Sequence, residues 1–259
     1  MSRLKFALAA AAVLAATPVL AAPNWIGTAD YGVETVGPFN TYDFSSAGIL
    51  LLDPQDATTA HGFYQSFVTA HLLDGLLVAN NGLAAGNYEI TIVANFDSAR
   101  TSVNAYGETF SVNGGSFSLW LDTTPDRDFA ADSGFANGIR IMEGSISGGS
   151  GSLGYAGAMQ FGGAALDLTV TGYDASVFSP ATIAAGNSTF SLRLDAPFDA
   201  AFTAPIDSVQ GVSFNAASGD LLYVADGSLI LTAVPEPQAL AMLLAGLGLV
   251  GGMARRRRS

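Results

Sequence analysis

Four carboxylates fall within the run Asp122-Thr123-Thr124-Pro125-Asp126-Arg127-Asp128-Phe129-Ala130-Ala131-Asp132. On a proline-containing loop after a strand, Asp122, Asp126, Asp128 and Asp132 could supply several of the roughly six to eight oxygens that calcium takes. The run is not an EF-hand: counted from Asp126 it lacks the glycine of the sharp turn and the closing glutamate, with Ala131 and Asn137 in those places. The same residues equally suit a solvated acidic turn that Arg127 partly neutralises. Other chemistry is sparse. The chain has no cysteine, which removes thiol nucleophiles, thiolate metal sites and disulfide staples. Its two histidines, His61 and His71, lack the His-x-x-x-His spacing of a zinc helix, and no Gly-x-Ser-x-Gly elbow offers an activated serine. A carboxylate pair for glycoside hydrolysis would be assembled only by the fold. The expectation is a protein that is not an enzyme, with calcium as its one conceivable cofactor.

The C-terminus carries a more specific pattern. Pro235-Glu236-Pro237 precedes an uncharged segment rich in Leu, Ala and Gly from Gln238 to Ala254, followed by Arg255, Arg256, Arg257 and Arg258. The prolines end the preceding strand and hold the tripeptide extended, which leaves it accessible to a protease. Seventeen uncharged residues with several glycines are marginal for a transmembrane helix, and the arginines would hold that end on the cytoplasmic side. In this order the three parts resemble the PEP-CTERM sorting signal of Gram-negative bacteria. The resemblance implies an exosortase as processing partner and a transient association with the inner membrane through the hydrophobic helix. It implies delivery to the outer surface or extracellular matrix, in bacteria that make exopolysaccharide.

The other end reads as an export signal. Arg3 and Lys5 precede an apolar stretch from Phe6 to Ala16, and Val19-Leu20-Ala21 offers small residues for cleavage after Ala21. The expected layout is a signal peptide over 1–21, an extracytoplasmic domain over 22–233 and a sorting signal over 234–259. The whole chain of 259 residues has a formal charge of −12, but residues 22–234 hold four arginines, no lysine and 21 carboxylates, a net of −17. So acidic a domain is a poor partner for nucleic acid or anionic membranes, because it cannot neutralise phosphates.

Between the two addresses the sequence has the cadence of strands. Tyr88, Ile90, Ile92, Ala94 and Phe96 share one face of a period-two segment, and Phe190, Leu192 and Leu194 share another. Similar segments run over Ala47–Asp53, Phe63–Ala70, Ser102–Val112, Ser116–Asp122, Gly138–Gly144, Ala165–Tyr173 and Ser208–Asn215, while Gln65–Asn80 could be helical. Asp226-Gly227 predicts a type I′ hairpin, Asn113-Gly114-Gly115 a link between two strands, and the Gly/Ser stretch 145–157 a long flexible loop. About ten strands in this length predict a single all-β domain, a β-sandwich or jelly roll.

Within that domain, Gly37-Pro38-Phe39, Tyr42-Asp43-Phe44-Ser45-Ser46-Ala47-Gly48, His61-Gly62-Phe63-Tyr64-Gln65-Ser66-Phe67, Leu119-Trp120-Leu121-Asp122 and Gly138–Ile146 occur in an order similar to that of flocculation-associated PEP-CTERM proteins. That resemblance implies a matrix protein acting in flocs or biofilm by non-catalytic association with exopolysaccharide. Two other readings stand beside it. A secreted carbohydrate-binding module would need an exposed aromatic platform, with Trp25, Trp120 and the tyrosines as candidates. A secreted polysaccharide hydrolase would need a catalytic pair.

Overall fold

The computed structural model describes residues 23–156, 159–183, 187–197 and 206–234. Ala21, the hydrophobic segment, Pro235, Glu236, Pro237 and Arg255 to Arg258 lie outside the described residues. So do the side chains of the strand containing Phe190, Leu192 and Leu194.

The strands are β1 (Gly27–Asp30), β2 (Thr35–Phe39), β3 (Thr41–Phe44), β4 (Ile49–Pro54), β5 (Thr59–Leu73), β6 (Leu76–Val78), β7 (Glu89–Asn104), β8 (Gly107–Asp122), β9 (Ile139–Ala156), β10 (Met159–Tyr173), β11 (Phe178–Ser179), β12 (Asn187–Pro197), β13 (Ser208–Val209), β14 (Val212–Ser213) and β15 (Leu221–Ile230), with one short helix, α1 (Asn81–Ala84). The all-β, sandwich-like expectation holds, and the hydrogen bonding sharpens it. The two opposed layers belong to a single antiparallel sheet whose ends meet. β3 and β4 lie end to end between β5 and β15, and from β5 the order runs β7, β8, β9, β10, β12 and back to β15. Of the ten strands in that sheet, β6 hangs from β5 and β3 and β4 share one position, so eight positions close an up-and-down barrel. Closure pairs the main-chain groups that an open sheet would leave at its edges.

Period-two alternation drives this arrangement. Along β7, Ile90, Ile92, Ala94 and Phe96 are buried inside, and Asn95 and Asp97 stand outside. Along β8, Phe117, Leu119 and Leu121 point in between Ser116, Ser118 and Trp120. The wall is thus apolar inside and polar outside, the reverse of a lipid-spanning barrel.

Several local expectations are corrected. Ser145–Ala156 is not a flexible loop but part of β9, paired to β8 on one side and β10 on the other. Its serines at 145, 150 and 152 face out, and glycines at 144, 149 and 151 face in; rings from β8 occupy the space above Gly144 and Gly151, and β10 backbone and Leu166 that above Gly149. A Cβ on Gly151 would come within 2.3 Å of the Phe110 ring, and one on Gly144 within 2.5 Å of Phe117. Asn113-Gly114-Gly115 lies within β8, where it forms a bulge opposite Asp97 and Ser98 instead of linking two strands. Asp226-Gly227 continues β15, opposite Arg193 and Leu192 of β12. The hairpin that does turn on Asp-Gly is at Asp74-Gly75, with both residues at positive φ, so Gln65–Asn80 is two strands and a turn followed by the residues that lead into α1.

The two barrel ends differ. At one end the small sheet β11-β1-β2 closes the interior, with Trp25 packed edge-on against Phe39 and Phe178. Both ends of the described chain meet there: the Ala233 N–H donates to Pro23, and the Val234 N–H to Thr182. The opposite end carries the β4–β5, β7–β8 and β9–β10 connections. A second apolar cluster, Ile49, Leu51, Ile206, Val209 and Leu222, lies on the outside of β4, β5 and β15 under the β13–β14 hairpin.

Candidate functional site

The acidic loop is a strap over the barrel wall. Buried Glu89 accepts from the main-chain N–H groups of Asp126 (2.9 Å) and Arg127 (3.2 Å), and its carboxylate pairs with the Arg127 guanidinium. That guanidinium stacks 3.6 Å from the centre of the Phe67 ring, and Phe129 packs on Phe135. The four aspartates do not converge. Asp122 accepts from the Thr124 N–H, Asp126 from the Asn137 amide, and Asp128 from the N–H groups of Ala130 and Ala131. Asp132 accepts from Gln65 and from the N–H groups of Gln210 and Gly211, tying the strap to β5 and the β13–β14 hairpin. Among the described residues no three acidic or histidine side chains gather as a metal site. Calcium requires convergence of oxygens, so this donor set does not fit it.

The histidines part company. His61 is exposed on the outer wall, its Nδ1 paired with Asp97. His71 is sealed inside the closed end among Phe39, Tyr31 and Tyr42, and its Nε2 lies 2.8 Å from the Tyr31 hydroxyl, which in turn lies 2.9 Å from the Tyr42 hydroxyl. Burial pushes the His71 pKa down to about 4 despite the charge of Glu34 nearby. Burial likewise raises both tyrosines, so at ordinary pH Tyr42 and Tyr31 keep their protons and His71 is the neutral imidazole. Glu34 is pushed up by partial burial, but hydrogen bonding from Gly82, Tyr88 and Leu83 outweighs this and keeps it below the usual carboxylate range. Neither histidine adjoins an activated nucleophile among the described residues.

Of the two tryptophans, Trp25 is buried, its indole N–H donating to Pro180. Trp120 is half-buried on the outer wall, donates to Ser118, and has the Arg140 guanidinium 5.7 Å from its ring. It stands at one end of a polar face spanning β7 to β10. Across that face Asn95 pairs in register with Ser116, Ser116 with Ser145, and Ser145 with Thr169. A second row runs Ala99, Ser111, Ser150, Ala165. Neighbouring strands are about 4.8 Å apart, so along the first row short hydroxyl and amide groups repeat at that interval.

The open end holds a cavity that the sequence did not announce. A cavity of about 100 Å³, open to solvent at its mouth, lies between apolar walls that include Leu52, Phe96, Phe110, Leu153 and Ala164. At the rim Arg100 Nε is 2.6 Å from Glu108, and Arg100 Nη1 donates to the Ala57 carbonyl at 2.8 Å, drawing the 55–58 turn over the mouth. Asp56 shapes that turn by accepting from Thr58 and Thr59, and these hydrogen bonds hold its carboxyl at about 2. The available signal was the scarcity of cations: Arg100 is one of four arginines in residues 22–234.

Residues 233–258 match the family model of the PEP-CTERM protein-sorting motif. The chain therefore carries the sorting signal that its C-terminal residues resemble, a mark of export and of exosortase sorting to the cell envelope or surface. No curated protein and no solved structure matches the chain.

Proposed function

We propose that this exported barrel is a non-catalytic matrix or surface protein that associates with exopolysaccharide in flocs or biofilm. The observation that carries the reading is the uncovered β7–β10 wall, with its in-register Asn95, Ser116, Ser145 and Thr169. Hydroxyl and amide side chains both donate and accept, as sugar hydroxyls do, and their spacing across adjacent strands lets several meet one chain. Trp120 adds an aromatic face at the end of the same wall. The charge of −17 over residues 22–234 favours neutral polymers, or acidic ones bridged by divalent cations in solution. His71 is sealed and His61 engaged with Asp97, which favours binding over catalysis.

The test is co-sedimentation of the exported protein with exopolysaccharide from its own host, beside a Ser116→Glu/Ser145→Glu double variant. Binding by the parent at least fivefold above the variant supports the reading. Equal binding by both overturns the assignment to this wall, and release of oligosaccharide would favour the hydrolase.

A further inference from the structure

A barrel of eight strands is just wide enough for side chains to fill its interior or for the wall to hold one small ligand. This barrel does both, at opposite ends. The closed half is packed with Trp25, Phe39, Tyr42 and Phe44, whereas the open half keeps space between Leu52, Phe110, Leu153 and Ala164. We infer that the open end is a binding site for one small neutral amphiphile, its hydrocarbon chain between these apolar walls and its polar head beside Arg100 and Glu108.

Three features support that ligand class. The walls present carbon, and pockets of this kind take ligands whose apolar body supplies affinity and whose few polar atoms set orientation. Arg100 is already held by Glu108 and by the Ala57 carbonyl, and Asp56 leaves the mouth with a net negative charge that disfavours an anionic head. An ionic head would have to break that pair, whereas a hydroxyl or amide can share its hydrogen bonds. The surroundings of the mouth also differ from the rest of the outer surface of β7–β10. Val103, Tyr106 and Phe161 stand exposed on or beside the β7–β8 and β9–β10 connections, beyond Arg100 and Glu108, while the wall below them is hydroxyl-rich. An amphiphile arriving from water would meet apolar residues first at this end. The turn pinned by Arg100 lies over the opening and must yield for entry.

The inference stands apart from polysaccharide binding, which uses the outer wall and can fail without affecting it. The experiment is titration of the neutral fluorophore N-phenyl-1-naphthylamine into the protein recovered as its host exports it, followed by displacement with 1-decanol and with decanoate. Expected are saturable fluorescence enhancement at one equivalent and displacement at least tenfold more effective with decanol than with decanoate. Ala164→Trp, which fills the cavity, should weaken the probe at least tenfold. Leu221→Glu, which places a charge at the rim with little change to the interior, should weaken it at least fivefold while retaining the parent's thermal midpoint. No saturable binding, several equivalents bound, better displacement by decanoate, or undiminished binding by a folded Leu221→Glu variant would each overturn the inference.

Discussion

Each end of the barrel carries an arginine–glutamate pair, and the two pairs serve different purposes. At the closed end Glu89 is 2% exposed, accepts two main-chain N–H groups besides Arg127, and fastens the 123–138 strap to the wall. At the open end Glu108 is 14% exposed and Arg100 40%, and the pair holds only a short turn. A desolvated pair with every acceptor used is a structural rivet, because removing one partner strands the other without water. A pair more open to water has a cheaper alternative in solvent and suits a part that must move. Interior packing follows the same division: aromatic and dense where the rivet is, apolar and hollow where the latch is.

The contrast can be broken most directly by equal deletions. Phe39→Ala at the closed end should cost about 4 kcal/mol in denaturant unfolding, since Phe39 is fully buried. Phe110→Ala should cost no more than about 2 kcal/mol, because its ring already borders open space. The pairs should rank likewise, with Glu89→Ala losing about 3 kcal/mol and Glu108→Ala about 1 kcal/mol or less. If the two glutamates prove equal, the distinction between rivet and latch fails.

Acid should find the closed end. His71 has a folded pKa of about 4, below the ordinary 6.5, so the neutral ring is what the fold favours. Its contribution is complete above pH 6.5 and is lost as pH falls to about 4, a loss of up to about 3 kcal/mol. Unfolding free energy measured across that window should fall, and His71→Leu should flatten the part of the slope that His71 contributes. The last contrast concerns β9. Gly151→Val should cost about 2 kcal/mol by driving a side chain into Phe110, whereas outward Ser150→Val should change stability by no more than about 0.5 kcal/mol. Equal tolerance at both positions would mean that the stretch is not held as a strand.

Much of the wall was legible because alternation is strong where the inward residues are large, as in Ile90, Ile92 and Phe96. It failed where the inward residues are glycine. Ser145 to Ala156 alternates as strictly as any strand over much of its length, but a pattern of serine out and glycine in has almost no hydrophobic contrast and looks like a linker. What fills the space above those glycines belongs to β8 and β10, Phe110 over Gly151 and Leu166 beside Gly149, so the reason lies on other strands. The two Asp-Gly dipeptides teach the same lesson. Asp74-Gly75 turns, since β5 and β6 pair directly across it, while Asp226-Gly227 is kept extended by β12 along one edge, with β4 and β3 pairing to β15 just before and just after it on the other. A preference for a turn yields when a whole ladder competes with it. The acidic loop was found as a loop, but its aspartates serve as caps and ties, and the site-forming Arg100 and Glu108 meet only through the register of β7 and β8.

The meeting of Pro23 with Ala233 beside the closed end gives the molecule a polarity. A tether leaving the barrel just after Val234 would grip it by the base, as a stem holds a goblet. The hollow end lies at the opposite end of the barrel from that exit. The sorting motif begins at residue 233, among the main-chain hydrogen bonds that Ala233 and Val234 make at the base, so freeing the first residues of the motif and loosening the base are one event.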